Sequence, residues 1–163
     1  HWQPRRQRQM CIRDRSKYTH LPARDADFTG DLSRSSIHAN DSFIENWINE
    51  EDYIFWNIHS LSAGKNNVSL YYTLPESSVG TQLTLEFMNN KITKNIINSH
   101  DPELEGMDDD RIKRIESYTK EFKKITLGDL YFEEGVSSLK LKTSDLIGNK
   151  SIDFRLLVLE KVD

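Results

Sequence analysis

The sequence predicts an all-β fold: an antiparallel β-sandwich or jelly roll with a long acidic loop and an irregular N-terminal arm. Three observations favour this class. Short runs of alternating apolar and polar residues recur from residue 53 onward, Gly and Asn residues separate the runs, and the only helix candidate, residues 108–115, is short. About six to nine strands at this spacing are typical of a sandwich or barrel and not of a parallel nucleotide-binding sheet.

The first predicted strands lie in the middle of the chain. Residues 53–58 form a run rich in aromatic and β-branched side chains, and in residues 68–74 apolar side chains occupy every second position. Residues 83–87 alternate in the same way before Asn89-Asn90, and residues 91–97 after it are rich in β-branched side chains. This arrangement predicts a β-hairpin that turns at the asparagine pair.

Four further strands are predicted toward the C-terminus. Gly128, Gly135 and the stretch Ile147-Gly-Asn149 separate these runs, and turn residues of this kind end strands. The runs are residues 119–127, 129–132, 139–143 and 152–162.

Charge divides the chain into two parts. The 163 residues carry a net charge of −4, but residues 1–15 contain five Arg and one Asp, so the remainder carries 17 basic against 25 acidic side chains, a net charge of −8. Residues 8–14, Arg-Gln-Met-Cys-Ile-Arg-Asp, resemble translated sequencing-adapter sequence. We therefore expect a disordered arm over residues 1–20, non-native up to residue 15, then a linker and entry segment over 21–52 and the sandwich core over 53–163.

Composition and motifs exclude several classes of function. Nucleic acid is not an expected partner of an acidic domain, and no apolar run approaches the ~20 residues of a membrane-spanning helix. Cys11 is the single cysteine, so an internal disulfide and a cysteine-based zinc site are excluded. No glycine-rich phosphate-binding motif, His-Glu-x-x-His motif or Gly-x-Ser-x-Gly motif is present.

The densest polar region is the predicted acidic loop. Residues 101–110 contain six carboxylates, and those that begin at Asp101 match the early ligand positions of an EF-hand. Ile112 stands where the bidentate Glu is needed, and Pro102 disfavours the usual loop, so the EF-hand pattern fails. A solvated loop and a non-standard calcium site remain as alternatives.

Aromatic side chains are numerous enough for a sugar-stacking platform. Trp56 and Tyr72 fall inside strand runs and are predicted to be core residues, whereas Trp47 and Tyr118 are nearer to loops. The other candidates are Tyr71 and Phe122. A small glycosidase would need two carboxylates that converge in a cleft, and the sequence does not single out such a pair.

The order of motifs after residue 20 resembles the C-terminal module of a group of bacterial sulfatases. Two stretches are the most specific, the His-Asp-Pro motif and the Asp-Arg-x-x-Arg-x-Glu-Ser-Tyr motif. The matching residues are Leu21-Pro-Ala-Arg-Asp25, Asn46-Trp47, Asp52-Tyr-Ile-Phe-Trp56, Leu70-Tyr-Tyr-Thr73, Val79-Gly80, His100-Asp-Pro102, Asp110-Arg111, Arg114, Glu116-Ser-Tyr118, Phe122-Lys123, Leu127-Gly128 and Asp153-Phe-Arg155.

The resemblance covers about residues 21–163 and implies a β-sandwich that follows a sulfatase catalytic domain. The chain departs from the family pattern at Glu103, where a second proline is favoured, and at Asn40-Asp-Ser42, where a cysteine is favoured. The sulfatase nucleophile motif Cys/Ser-x-Pro-Ser-Arg is absent, because Cys11 is followed by Ile-Arg-Asp. The chain itself is therefore not expected to be an enzyme.

The resemblance implies a non-catalytic accessory module of an exported sulfatase, periplasmic or extracellular, that packs on the catalytic domain in cis and contacts sulfated glycan. No cofactor is expected in this chain, and calcium is expected only in the catalytic domain that it lacks. The alternative is an autonomous carbohydrate-binding module. For either function the candidate ligand or interface residues are Trp47, His100, Asp101, Asp110, Arg111, Arg114, Glu116 and Tyr118.

Overall fold

Two β-sheets pack face to face in the computed structural model, which describes residues 9–12, 16–35, 42–102 and 121–162. Twelve strands lie within these ranges, and short 3₁₀ turns at Ala23–Asp25 and Glu76–Ser78 connect some of them. The strands are β1 (Gln9–Ile12), β2 (Tyr18–Pro22), β3 (Asp27–Phe28), β4 (Ser33–Arg34), β5 (Ile44–Glu45), β6 (Tyr53–Ser60), β7 (Gly64–Thr73), β8 (Gln82–Phe87), β9 (Asn90–Asn95), β10 (Lys123–Phe132), β11 (Gly135–Ser144) and β12 (Asp153–Lys161).

The strands divide equally between the two sheets in the described part of the chain. Sheet A has the order β1-β6-β11-β8-β9, with β3 also paired to β6, and sheet B has the order β10-β7-β12-β5-β4, with β2 also paired to β12. Among the described pairs only β1 with β6 is parallel. The chain changes sheet between β6 and β7, between β7 and β8 and at each step from β9 to β12. The predicted all-β sandwich is confirmed.

Strand β6 shows why these sequences form two-faced sheets. Ile54, Trp56 and Ile58 are at most 1% exposed, whereas the residues between them are partly exposed. Successive side chains of a strand point to opposite faces, so one set enters the core and the other faces solvent. The pattern continues on β11, where Leu139 and Leu141 are buried beside β6.

Aromatic contacts join the two sheets through the core. Trp56 of sheet A meets Phe154 of sheet B edge to face, with 5.5 Å between ring centroids, and Phe87 meets Phe132 with 5.0 Å between centroids. Burying each such side chain contributes about 1.5–3 kcal/mol, and the ring geometry adds about 0.5–1.5 kcal/mol per pair. These contacts fix how the sheets sit on each other.

Some boundaries differ from those expected. The turn of the predicted hairpin falls at Met88-Asn89, one residue early. Gly128 does not end a strand but lies within β10, where the register with β7 shifts and the glycine has φ = 136°. A bulge of this kind needs a backbone conformation that glycine adopts without steric cost. The predicted helix at residues 108–115 lies outside the described residues.

The N-terminal region also differs from the irregular arm expected over residues 1–20. Gln9–Ile12 pairs with β6, and Tyr18–Pro22 pairs with β12. Edge backbone groups of a sheet accept any strand that reaches them, and Ile12 becomes buried there, at 3% exposure. Residues 21–52, expected as linker and entry segment, contribute short strands to both sheets. No helix among the described residues is long and apolar enough to cross a membrane.

Candidate functional site

Two aromatic side chains of β6 lie on the solvent side of sheet A. Tyr53 and Phe55 alternate with the buried Ile54 and Trp56, so strand geometry places both rings on the outer face. Their centroids are 5.7 Å apart and the ring planes are inclined by 51°. Both residues are partly exposed, so they present apolar surface that the core does not use.

Charged side chains from the neighbouring strands flank this ring pair. Lys140 of β11 is opposite Phe55, and its Nζ lies 5.2 Å from the centroid of the Tyr53 ring. Lys142, opposite Tyr53, forms an ion pair with Glu86 of β8 at 2.7 Å. A cation over an aromatic face contributes about 0.5–1 kcal/mol at exposed sites. The contact with Lys140 therefore restrains the ring of Tyr53, and the ring stays partly exposed.

A shallow cleft of about 210 Å³ has Glu86, Ser138 and Lys140 among its lining residues, and Lys140 links it to the ring of Tyr53. Ser138 Oγ donates to the side-chain oxygen of Asn57 at 3.5 Å. We call the surface formed by Tyr53, Phe55, Glu86, Ser138, Lys140 and Lys142 the aromatic face. It combines apolar ring surface with hydroxyl, carboxylate and ammonium groups within one patch.

Such a combination suits a sugar. The C–H faces of a pyranose ring are apolar and pack on aromatic rings, while its hydroxyls both donate and accept hydrogen bonds. Glu86 supplies acceptors, Lys140 supplies donors and Ser138 supplies both. Sites of this composition fix a ligand through ring contact and orient it through a few polar groups.

The structure places Trp47 in the core, so its prediction as a ligand-contacting residue is wrong. Its side chain is 0% exposed, its Nε1–H donates to the carbonyl of Asp52 at 3.1 Å, and its own carbonyl accepts from the N–H of Ser151 at 2.7 Å. A side chain without accessible surface cannot face a ligand. The expected core positions of Trp56 and Tyr72 are confirmed, at 1% and 0% exposure.

His100 and Asp101 lie at the start of the acidic loop, away from the aromatic face. His100 exchanges two backbone hydrogen bonds with Leu74, and its Nε2 is 2.9 Å from the carbonyl oxygen of Glu121. Because Glu121 follows the loop, His100 ties the two ends of that loop together. Asp101 is exposed. Their role as site residues stays a prediction.

The other five predicted site residues lie outside the described residues. They are Asp110, Arg111, Arg114, Glu116 and Tyr118. Most of the acidic stretch falls there too, so the calcium alternative also stays a prediction. Within the ranges that the structure describes, no three His, Cys, Asp or Glu side chains converge as metal ligands would.

Sequence reasoning missed Tyr53 and Phe55. The available signal was the predicted strand at residues 53–58, because successive side chains of a strand point to opposite faces and Tyr53 and Phe55 therefore lie opposite to Ile54 and Trp56. The second signal was the Leu139-Lys-Leu-Lys142 pattern, which marks a strand with two cations on one face. The pairing of the two strands was not evident from either pattern.

Comparison with known proteins shows similarity to solved structures at the level of the fold. No protein-family model matches the chain, and no curated protein does. The GH26-CBM35 β-(1,4)-mannanase of Podospora anserina matches with a TM-score of 0.61 and 11% identity over 91% of this chain and 28% of that enzyme. This chain is therefore similar to about a quarter of that protein.

Two isolated modules match over almost their whole length. The family 35 carbohydrate-binding module of Clostridium thermocellum matches with a TM-score of 0.55 and 11% identity, over 88% of this chain and 98% of that module. The CBM35 of Paenibacillus barcinonensis matches with a TM-score of 0.55 and 16% identity, over 86% and 97%. Together these likenesses show that the chain has the β-sandwich fold of family 35 carbohydrate-binding modules.

Proposed function

We propose that the chain is an autonomous carbohydrate-binding module that holds a sugar ring against Tyr53 and Phe55. The observation that carries the proposal is the pair of partly exposed rings on the outer face of sheet A, 5.7 Å apart and flanked by Lys140 and the Lys142–Glu86 ion pair. The fold likeness to carbohydrate-binding modules supports it.

The geometry favours recognition without large rearrangement. Both rings project from a paired strand, and strand positions hold side chains more rigidly than loops do. The cation above Tyr53 further limits the rotamers of that side chain. Preorganised groups lose less entropy when a ligand binds, so we expect the aromatic face to bind an oligosaccharide without change in the backbone.

The motif order supports a more specific setting for this module. In the proposed parent protein it follows a sulfatase catalytic domain outside the cytoplasm, where the module would bring the enzyme to a glycan. The ordered motifs from Leu21-Pro to Asp153-Phe-Arg155 carry this part of the proposal, and the fold does not bear on it. Purified chain should not turn over an aryl sulfate, because the nucleophile motif is absent. A measurable rate would overturn the accessory function.

Isothermal titration with cellohexaose, mannohexaose and xylohexaose, and with sulfated and desulfated forms of one polysaccharide, tests glycan binding. We expect heat with at least one of them. Truncating an anchoring ring typically costs about 1–2 kcal/mol, so Tyr53→Ala and Phe55→Ala should each weaken Kd about 5- to 30-fold. Both variants must first show cooperative urea unfolding.

Tyr131 provides a matched control. It is 44% exposed, on strand β10 of the other sheet, so Tyr131→Ala removes the same ring from a surface away from the aromatic face. Its Kd should equal that of the unaltered chain. If folded Tyr53→Ala and Phe55→Ala bind sugar with the same Kd as Tyr131→Ala, the aromatic face is not the binding site. If no glycan gives heat, the proposed function is wrong.

A further inference from the structure

A second and larger cleft opens at an edge of the sandwich, where Met10 of β1 in sheet A and side chains of sheet B line it together. It has a volume of about 390 Å³ and lies where β2 pairs with β12. We call it the edge cleft. Its lining includes His20, Pro22, Arg24, Asp25, Arg155 and Leu156.

Strand register shows which side chains face this cleft. Leu21 and Leu157 are paired and fully buried, so their neighbours along the two strands point outward. Pro22 is paired with Leu156, and these two side chains give the cleft an apolar floor. His20 stands next to them on the same face.

Hydrogen bonds fix the polar wall of the edge cleft. Arg34 donates from Nη1 to the carbonyl of Ala23 at 2.6 Å and from Nη2 to the carbonyl of Ala26, so it clamps the 3₁₀ turn that carries Arg24 and Asp25. Across the cleft, the guanidinium of Arg155 donates to the carbonyl of Ser42 at 3.1 Å. Polar groups from separate segments are thus held around one concave space.

The size and chemistry of this space match a small polar ligand. Ligand sites have volumes of about 300–1,000 Å³, and they combine an apolar lining with a few fixed polar groups. Guanidinium groups donate and a carboxylate accepts, which together satisfy neighbouring hydroxyls. The apolar floor is suited to the C–H face of a sugar ring.

We propose that the edge cleft is a second sugar-binding site, so that the module is bivalent. The inference rests on the proposed function. The aromatic face lies on the outer side of sheet A, whereas His20, Pro22 and Leu156 of the edge cleft face outward from sheet B. Packed sheets are about 10 Å apart between their backbones. One sugar residue cannot contact both sites, so each module can hold two glycan segments.

The stoichiometry of binding tests the second site. Titration with cellohexaose, mannohexaose and xylohexaose uses the unaltered chain, Tyr53→Ala, the double variant His20→Ala/Arg24→Ala and a combination of all three changes. His20 and Arg24 are both exposed, so their removal should not unfold the protein. Lys124→Ala, an exposed lysine of β10 in the same sheet, is the control for loss of a positive charge.

We expect two sites per chain with at least one hexasaccharide. Tyr53→Ala should weaken one site about 5- to 30-fold and leave the other unchanged, the double variant should weaken only the other site, and the combination should weaken both. If the two sites prefer different sugars, each set of changes should weaken binding of a different probe. A single site that is weakened in Tyr53→Ala and unchanged in the double variant contradicts binding at the edge cleft and leaves the proposed function intact. Binding that is weakened only in the double variant contradicts binding at the aromatic face, and no binding to any probe contradicts both proposals.

Discussion

The indole N–H of Trp47 donates a hydrogen bond to the backbone carbonyl of Asp52, with 3.1 Å between nitrogen and oxygen. The carboxylate of the same Asp52 accepts from the backbone N–H of Asp31 at 3.1 Å and from the hydroxyl of Thr29 at 3.4 Å. Asp52 therefore connects the segment after β3 with the segment that leads into β6. The strand that carries the aromatic face begins at the next residue.

Trp47→Phe should lower stability without changing sugar affinity. The substitution leaves the Asp52 carbonyl without its donor, and the smaller ring leaves a void. The loss of free energy of unfolding should be about 1–3 kcal/mol. Urea denaturation measures this loss, and titration at a temperature where the variant is folded measures Kd. A folded variant of unchanged stability that no longer binds sugar would restore Trp47 as a site residue.

Gly30→Ala should be more damaging, because Gly30 has φ = 61° and an added Cβ would overlap the carboxylate of Asp52. A left-handed conformation costs a non-glycine residue about 1–3 kcal/mol, and Asp52 would also have to move. We expect a loss of about 2–4 kcal/mol in the free energy of unfolding.

Gly64→Ala is the matched control for that change. An added Cβ at Gly64 meets nothing within 4 Å, so this variant should lose little stability. Denaturation midpoints compare the two alanine variants directly. Equal midpoints would contradict the packing of Gly30 against Asp52.

The fold could be predicted because a short stretch of sequence is enough to identify which side chains of a strand face the core. Residues 68–74 and 139–143 alternate within a few positions, and the alternation alone identifies the side chains that face the core. The position of Trp47 could not be predicted in this way. It lies in a short connection without periodicity, and its burial depends on contacts with Asp52 and Ser151.

The aromatic face could not be predicted because it depends on strand pairing. Tyr53 and Phe55 are adjacent on one face of a strand, but Lys140 and Glu86 reach them only through the register of β6, β11 and β8. Register is set by the packing of the whole sheet. The strand end predicted at Gly128 was wrong because glycine is compatible both with a turn and with a bulge inside a continuous strand. The pairing of β10 with β7 decides between the two.

A chain that begins at Ser16 should still fold. Strand β1 pairs only with β6 among the described strands, and Ile12 is its one fully buried side chain. Losing that burial should cost about 1.5–3 kcal/mol. Circular dichroism and urea denaturation check this expectation. Loss of cooperative unfolding in the shortened chain would show that residues 1–15 belong to the domain.

Alkaline pH should destabilise the protein in part through Tyr72. Its side chain is fully buried, and its hydroxyl donates to the carbonyl of Asn98 at 2.9 Å. Burial raises the pKa of the Tyr72 phenol above its ordinary value, because the charged phenolate is disfavoured in the core. In the unfolded chain the same phenol ionises near its ordinary pKa of about 10.

The sign of the effect follows from proton binding. Below about pH 10 the phenol is protonated in both states, so its contribution is complete there. As the pH rises beyond about 10, the unfolded chain releases a proton that the folded chain retains, and the free energy of unfolding falls. The decline continues until the pH reaches the raised pKa of the folded state.

Tyr72→Phe isolates this contribution. At about pH 8 the variant should be less stable by about 0.5–1.5 kcal/mol, because the hydrogen bond to Asn98 is lost. Between about pH 8 and pH 11 the difference between the two proteins should shrink, since the phenyl ring of the variant cannot ionise and all other groups titrate alike in both. Urea denaturation at several pH values measures the difference, and Tyr131→Phe at an exposed position serves as control. A stability difference for Tyr72→Phe that is constant over this pH range would contradict the raised pKa.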